Sequence, residues 1–186
     1  MKKSLVLLFL IAIIVYSSGF KVEEKKLEEP VPFPEGYRAW KHVKSGYIGP
    51  ESIGFTLFGG FHHIYANELA IQGYTKGIFP EGSVLVFDVI SAKESKGVIE
   101  ESSRSVVDVM VKDSSKYAAT DGWGFERFKG DSNTERILDA NFRSACVNCH
   151  KKNKDFVFSE YRKLLNNHFR GAAEHEQKRQ RKPDHN

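Results

Sequence analysis

The chain has 186 residues, of which 40% are hydrophobic and 28% are charged. This length fits one domain with terminal extensions, and the composition excludes a collagen-like, fully disordered or polytopic membrane chain. Lys and Arg total 28 against 24 Asp and Glu, and the resulting charge of +4 is too small to argue for a nucleic-acid partner. The two cysteines exclude a disulfide-dense scaffold.

The N-terminus has the pattern of a secretory signal. Lys2 and Lys3 precede an apolar run over Leu5–Tyr16, and the small residues Ser17–Gly19 offer a cleavage site. The run is shorter than the about 20 apolar residues that a membrane-spanning helix needs. We therefore predict a signal peptide over residues 1–19 and a periplasmic or exported protein. The alternative is an uncleaved N-terminal anchor that holds the protein at the inner membrane.

Polar segments flank the predicted domain on both sides. Residues 20–30 are highly charged and are predicted to form a solvated linker. Residues 170–186 show no apolar periodicity and are predicted to be a disordered polar tail, for which a solubilising role is favoured over contact with an anionic surface. The folded domain is therefore predicted over residues 31–169, a usual size for one domain.

Strand patterns dominate this domain. Runs rich in β-branched and aromatic residues predict strands over Ser83–Ile90, Ser105–Val111 and Gly122–Phe128, with a fourth over Tyr37–Val43. In the third run, alternation puts Trp123, Phe125 and Arg127 on one face and Gly124, Glu126 and Phe128 on the other.

Helices are predicted around these strands. They cover Asn67–Tyr74, a segment opened by a capping box at Ser132–Glu135 and running through Phe142, and Ser159–Phe169. A run of strands with a few flanking helices favours an α+β fold that is mainly antiparallel β.

One motif carries a specific chemistry. Residues Cys146–His150 read C-V-N-C-H, the attachment signature of c-type haem. Two thiols three positions apart on one turn are able to add to the two vinyl groups on one edge of a porphyrin. The imidazole that follows is placed to bind iron. Together with the export signal, the motif favours covalent haem c, with Cys146 and Cys149 as attachment points and His150 as iron ligand. A disulfide, a thioredoxin-like redox site and a zinc site are the alternatives.

The second axial ligand decides what such a haem does. Met110 lies in an apolar strand pattern, which is more typical of a core residue than of a ligand. His62 or His63 is an alternative sixth ligand, and an exposed or hydrogen-bonded loop pair is the commoner interpretation. We therefore predict five-coordinate iron that binds a small ligand directly, whereas a six-coordinate haem mainly passes electrons.

Five stretches occur in a fixed order along the chain, and they are Tyr37–Trp40, Phe79–Val86, Val111–Tyr117, Gly122–Phe125 and Cys146–Phe158. Together they resemble the cytochrome P-460 family, which includes the beta-type cytochromes c-prime, over about Pro34 to Leu165. The resemblance implies a mostly β fold, commonly a homodimer, with one covalent high-spin haem and a proximal histidine. It assigns attachment to Cys146 and Cys149 and iron ligation to His150.

Members of that family differ in function. The P-460 enzymes oxidise hydroxylamine and carry a lysine cross-linked to the porphyrin, on the strand where this chain has Phe87. The beta-type cytochromes c-prime lack the cross-link and have phenylalanines over the distal iron face. The resemblance thus implies that Phe87, with Phe61 or Phe58, contacts the cofactor. The alternative for Phe87 is an ordinary core residue.

An apolar distal wall disfavours polar ligands, because unpaired burial of a polar group costs about 1–3 kcal/mol. The favoured function is therefore binding of a small gaseous or nitrogenous ligand such as NO, with one-electron redox chemistry through a periplasmic partner. Hydroxylamine oxidation and six-coordinate electron transfer are the alternatives, so the sequence leaves open whether the protein is an enzyme. Proton acceptors for hydroxylamine oxidation would be Glu126, Arg127 or Asp139, each more typical of a solvated surface position.

Overall fold

The computed structural model describes residues 29–162, which form a five-stranded antiparallel sheet with strand order β1-β2-β3-β4-β5. The predicted α+β architecture, mainly antiparallel, is confirmed. The strands are β1 (Lys41–Ile48), β2 (Gly60–Ala66), β3 (Val84–Ser95), β4 (Val98–Lys112) and β5 (Trp123–Lys129), and the helices of the described part are α1 (Phe55–Phe58), α2 (Glu68–Lys76) and α3 (Ala140–His150).

Several predicted segments fall wholly or mostly outside these residues. They are the signal peptide over residues 1–19, most of the linker over 20–30 and the tail over 170–186. The helix predicted over Ser159–Phe169 is not formed at residues 159–162, and its remainder lies outside the described part. Between residues 29 and 162, no helix combines the length and the apolar character needed to cross a bilayer.

Three of the four predicted strands are confirmed, and the N-terminal one is wrong in its first half. Tyr37–Ala39 form a 3-10 turn, and β1 begins only at Lys41. The turn follows Gly36, whose φ of 70° is easily reached only without a side chain. It directs the Tyr37 hydroxyl to the buried Asp88 carboxylate, 2.8 Å away on β3. A long-range hydrogen bond therefore overrides the local strand pattern.

The helix predicted from Asn67 is confirmed, but the capping box at Ser132 opens no helix. The Ser132 hydroxyl accepts from the backbone N–H of Glu135 at 2.8 Å, as a capping residue would. Arg136 then forms a β-bridge with Phe128, and its guanidinium donates to the buried Glu126 carboxylate at 2.8 Å. This ion pair holds the segment extended along the sheet. Helix α3 consequently starts at Ala140, after Asp139.

Both faces of the sheet are covered. On one face, Trp123 and Phe125 of β5 join a cluster that packs against α2 and α3. On the other face, Phe128 joins a cluster that includes Val31 and Tyr37 from the N-terminal segment. The predicted alternation along β5 is thus confirmed.

The expectation of solvated charges on β5 is wrong. Glu126 and Arg127 are only 4% and 5% exposed. Each has an ionic partner on its own side of the sheet: Arg136 for Glu126, and Asp108 for Arg127. Paired charges of this kind are tolerated in a protein interior. Asp139 instead serves as the cap of α3, accepting from the Phe142 N–H at 2.8 Å.

A second buried ionic group lies on the face that carries the Tyr37 turn. Asp88 is fully buried and accepts from Tyr37 at 2.8 Å and from the Arg104 Nε at 2.7 Å. Arg104 also pairs with the exposed Asp131. Burial and the bond to Asp88 raise the pKa of Tyr37 far above its usual range. The group ties the N-terminal turn to two central strands.

Strands β3 and β4 are longer than their neighbours. Residues 92–101 pair only with each other among the described residues, as a two-stranded extension that we call the β3–β4 ribbon. Register shifts around Ile90 mark its base. At its tip, Val98 and Ile99 are 56% and 44% exposed.

Candidate functional site

Helix α3 carries both cysteines of the motif, three residues apart and so on one side of one turn. Cys146 is half-buried against the core cluster and Cys149 is exposed, and both thiols are free. Burial raises the pKa of Cys146, which keeps this thiol protonated at neutral pH. The helix also ends at His150, so the predicted attachment and ligand residues occupy its last turns. Their spacing and free sulfur atoms suit covalent attachment to one edge of a porphyrin.

The His150 imidazole is held in one orientation. Its Nδ1 lies 2.8 Å from the backbone carbonyl oxygen of Phe156, and the rings of Phe125 and Phe158 pack edge-on against it at 5.2 and 4.7 Å. A carbonyl oxygen only accepts, so Nδ1 carries the proton and the lone pair stays on Nε2. Burial lowers the pKa of His150, which keeps the ring neutral. Metal-binding histidines use this arrangement, with one nitrogen hydrogen-bonded and the other available.

The Phe156 carbonyl, which accepts the His150 hydrogen bond, belongs to a strained turn. Asp155 and Phe156 have φ values of 44° and 63°, in the left-handed region that costs about 1–3 kcal/mol for residues with side chains. The Asp155 carboxylate offsets this cost by accepting from the Phe79 N–H at 2.6 Å and from Lys112 and Trp123 at 3.1 Å. Burial alone would raise the pKa of Asp155, but these hydrogen bonds outweigh burial and lower it.

Replacing Asp155 by Asn is expected to reduce stability at pH 7 by about 1.5–3 kcal/mol, the range for hydrogen bonds to a charged group. Because the folded-state pKa lies below the usual 3.8, the carboxylate stabilises the fold above that value. Its contribution disappears as pH falls through the lower folded-state pKa. Urea unfolding between pH 7 and pH 2 should therefore give a shallower acid loss for Asp155→Asn than for the native chain. Asp121→Asn is the matched control, because Asp121 also has a left-handed backbone but is exposed. Parallel acid losses in all three proteins would contradict the assignment.

A row of contacts runs from α3 across the sheet face that carries Phe125. The Arg127 guanidinium lies over the rings of Phe142 and Phe58 at 4.7 and 4.9 Å. Phe58 packs edge-on against Phe87 at 5.8 Å, and Phe87 stacks on His62 at 4.7 Å and 23°. We call these residues the aromatic wall, made of Phe58, His62, Phe87, Arg127 and Phe142.

The Arg127 side chain is fixed by a carboxylate in the same face. Asp108 of β4 lies opposite Arg127 of β5, and its two oxygens accept from Nε and Nη2 at 2.5 and 2.6 Å. Burial raises the pKa of Asp108, and the Arg127 charge opposes that rise. The one cation of the wall is therefore paired with a carboxylate that lies beside it on the neighbouring strand.

The structure brings only part of the predicted distal set together. Phe87 and its alternative companion Phe58 meet in the aromatic wall. Phe61 does not join them, since it packs against Tyr47 at 5.3 Å. Side chains alternate along β2, so Phe61 and His63 face away from the side that carries His62. His62 and His63 thus lie in strand β2. The interpretation of these two histidines as a pair in a loop is wrong.

Two features of the wall had weak signals in the sequence. Asp108 interrupts the apolar run Ser105–Val111, and a lone acid in a buried strand calls for a cationic partner. Its pairing with Arg127 depends on strand register, which composition does not give. His62 and His63 are neighbours in sequence, and only the alternation of side chains along β2 places His62 at the wall.

Comparison with known proteins places this arrangement in a family. The sequence model described as Cytochrome P460 matches residues 34–159, which include every strand, the aromatic wall and the Cys146–His150 motif. No curated protein matches the chain. The match covers well over half of the sequence. The chain therefore belongs to the cytochrome P460 family, and it is a haem-binding cytochrome.

Proposed function

We propose that this cytochrome holds one haem c, attached through Cys146 and Cys149 and ligated by His150, and that it binds small uncharged ligands such as NO. The observation that supports this proposal is the orientation of the His150 imidazole. Its Nδ1 donates a hydrogen bond to the Phe156 carbonyl, and its Nε2 keeps a lone pair for the iron. Two free thiols lie within the preceding turn of the same helix. These residues fit a covalently attached, histidine-ligated haem.

When bound, the haem supplies an iron that takes up a diatomic ligand and exchanges one electron. The chain supplies orientation and exclusion of water. Phe125 and Phe158 fix the His150 ring, and the turn at Asp155 fixes the acceptor of its N–H. Fixing the tautomer in this way makes the imidazole a defined ligand rather than a rotating one.

The aromatic wall supports ligand binding over hydroxylamine oxidation. Phe87 stands where the hydroxylamine-oxidising relatives are expected to carry their cross-linking lysine, and a phenyl ring has no amine to attach. Phe58 and Phe87 lie in edge-on contact and offer no hydrogen-bonding atom. Transfer of a polar or charged molecule to such a surface is unfavourable, whereas NO loses little hydration.

Hydroxylamine oxidation is the second candidate, and one observation favours it. Asp108 is a partly buried carboxylate on the same sheet face as Phe87, directly opposite it in register. Burial raises its pKa, which makes it a stronger base than an exposed carboxylate. Proton removal from a nitrogen substrate needs such a base. Its bidentate pairing with Arg127 opposes this role.

The cellular setting is part of the proposal. The basic and apolar N-terminus supports export to the periplasm, with an uncleaved anchor as the alternative. Covalent attachment suits that compartment, since a cofactor bonded to the chain is not lost by dilution. A homodimer and a periplasmic redox partner complete the proposed assembly.

The absorption spectrum separates the candidates in one preparation. Protein from a host with cytochrome c maturation is expected to show high-spin ferric and ferrous haem that binds NO reversibly in the ferrous state. A strongly red-shifted Soret band and turnover of hydroxylamine with an electron acceptor would establish the enzyme instead. Sharp low-spin visible bands would establish a six-coordinate electron carrier. Either of the last two results would overturn the ligand-binding proposal.

A further inference from the structure

A chain of hydrogen bonds lies on the side of the sheet that faces away from the aromatic wall. The Ser45 hydroxyl on β1 lies 2.7 Å from Nδ1 of His63, its register partner on β2. Nε2 of His63 lies 2.5 Å from a carboxylate oxygen of Glu101 on β4. The Ser45 hydroxyl also lies 2.8 Å from Nε2 of His42 on its own strand. We call these four residues the serine–histidine cluster.

The donors and acceptors of this cluster have a definite order. A carboxylate only accepts, so Nε2 of His63 donates to Glu101. In the neutral ring Nδ1 then carries the lone pair and accepts from the Ser45 hydroxyl. The Ser45 oxygen in turn accepts from Nε2 of His42. A hydroxyl that donates to an imidazole, itself held by a carboxylate, is the arrangement of an activated nucleophile and its general base.

The nucleophile of the cluster is accessible, and its base is supported. Ser45 and His42 are exposed, whereas the His63 side chain is only 17% exposed. An open cavity of about 580 Å³ lies beside His42, with Trp40 and Ala66 in its lining. This volume is within the range of sites that bind small molecules. A small substrate therefore has room next to the hydroxyl.

We propose that Ser45 is an activated nucleophile that takes the acyl group of small carboxylic esters. The Ser45 oxygen bonds to the ester carbonyl carbon while its proton moves to Nδ1 of His63. His63 then gives that proton to the departing alcohol as the bond between the carbonyl carbon and the alcohol oxygen breaks. Water repeats the sequence on the acyl-serine, which releases the carboxylic acid and restores the hydroxyl.

The other two members of the cluster assist this reaction. His42 supplies an N–H donor for the negative charge that develops on the carbonyl oxygen, as in other acyl-transfer sites. Glu101 is a positioning residue, because it holds the His63 ring with the lone pair of Nδ1 towards the hydroxyl. The site lies on the face opposite the aromatic wall and does not depend on haem ligation.

The first test labels the haem-loaded protein with a fluorophosphonate, a probe that forms a stable bond with activated serines. Peptide mass spectrometry is expected to find the phosphonyl group on Ser45. His63→Gln is expected to slow this labelling by about a hundredfold or more, because the hydroxyl loses its general base. Ser103→Ala removes an exposed serine of β4 outside the cluster and is expected to leave the labelling rate unchanged.

The second test follows hydrolysis of p-nitrophenyl acetate. The native protein is expected to release a rapid burst of p-nitrophenol as Ser45 is acetylated, followed by slower turnover. Ser45→Ala should lose the burst, whereas Ser103→Ala should keep it. Far-ultraviolet circular dichroism of each variant checks the fold, and Ser45→Gly replaces Ser45→Ala if the latter does not fold.

Glu101→Gln separates charge from support. The amide keeps an acceptor near Nε2 of His63 but removes the negative charge, so labelling of Ser45 should slow while the fold is kept. Labelling of this variant at the native rate would overturn the role of Glu101. A native protein without label on Ser45, or a folded Ser45→Ala or Ser45→Gly variant that keeps the burst, would overturn the proposal as a whole.

Discussion

Serine at both Cys146 and Cys149 is expected to leave no porphyrin on the polypeptide after denaturation. A thioether forms from sulfur, and a hydroxyl does not replace it in that addition. Each single variant keeps one attachment point and should retain a reduced amount of covalent haem. The measurement is haem staining of denatured protein, with intact mass to count bonds. Loss of the half-buried Cys146 should also loosen packing of α3 more than loss of the exposed Cys149.

Asn148 provides the control for this series. It lies between the cysteines on the exposed side of the helix and accepts a hydrogen bond from Lys151. Asn148→Ala should keep full covalent haem, which separates loss of sulfur from disturbance of the helix. If both single cysteine variants stain as strongly as Asn148→Ala, the attachment assignment fails.

Removal of the Asp88 carboxylate is expected to cost about 3–5 kcal/mol, because it leaves Arg104 without its buried partner. Asp88 is fully buried, and it joins the Tyr37 turn to strands β3 and β4 through hydrogen bonds of 2.8 and 2.7 Å. Domains of this kind are stable by only about 5–15 kcal/mol, so Asp88→Ala would lose much of the total. Urea unfolding at pH 7 measures the loss.

Asp131 is a matched comparison, since it pairs with the same Arg104 but its side chain is 79% exposed. Asp131→Ala should cost less than about 1 kcal/mol, as for surface ion pairs. Equal losses in the two variants would mean that burial of Asp88 is not the source of its effect.

The strands were predictable where sequence and packing agree. Strands β3 and β4 are rich in β-branched residues, and β5 alternates aromatic residues with others. Both patterns favour strands locally, and the sheet has strands at these places. The N-terminal turn was not predictable in this way. Tyr37 folds away from a strand because its hydroxyl meets Asp88, which lies 51 positions further along the chain.

The failure of the capping box has the same origin. Ser132 makes the local hydrogen bonds of a helix start, but Arg136 is drawn to the buried Glu126 across the sheet. An ion pair that satisfies a buried carboxylate outweighs one capping interaction, which contributes about 1 kcal/mol. The solvated positions expected for Glu126 and Arg127 were wrong for a related reason, since their partners become visible only when strands are in register.

The functional site likewise has one part that the sequence predicts and another that only the fold brings together. Cys146, Cys149 and His150 are neighbours in sequence, so their spacing alone predicted their chemistry. The aromatic wall is assembled from α1, β2, β3, β5 and α3, so its members meet only once these elements have packed together. Once β2 is known, the alternation of its side chains places His62 and Phe61 on opposite faces. The start of β2 at Gly60 was not evident in the sequence.

The β3–β4 ribbon bears on the solubility of this protein. Backbone groups on its outer sides have no neighbouring strand in the described part of the chain, which makes the ribbon a template for strand addition by other molecules. The exposed Val98 and Ile99 at the tip add attraction between such templates. Lys93 and Glu100, which face each other on the ribbon, work against strand addition because their charges would lose solvent contact. Solubility therefore depends on a few charges far from the core, and neutralising them is expected to promote association through the ribbon edges.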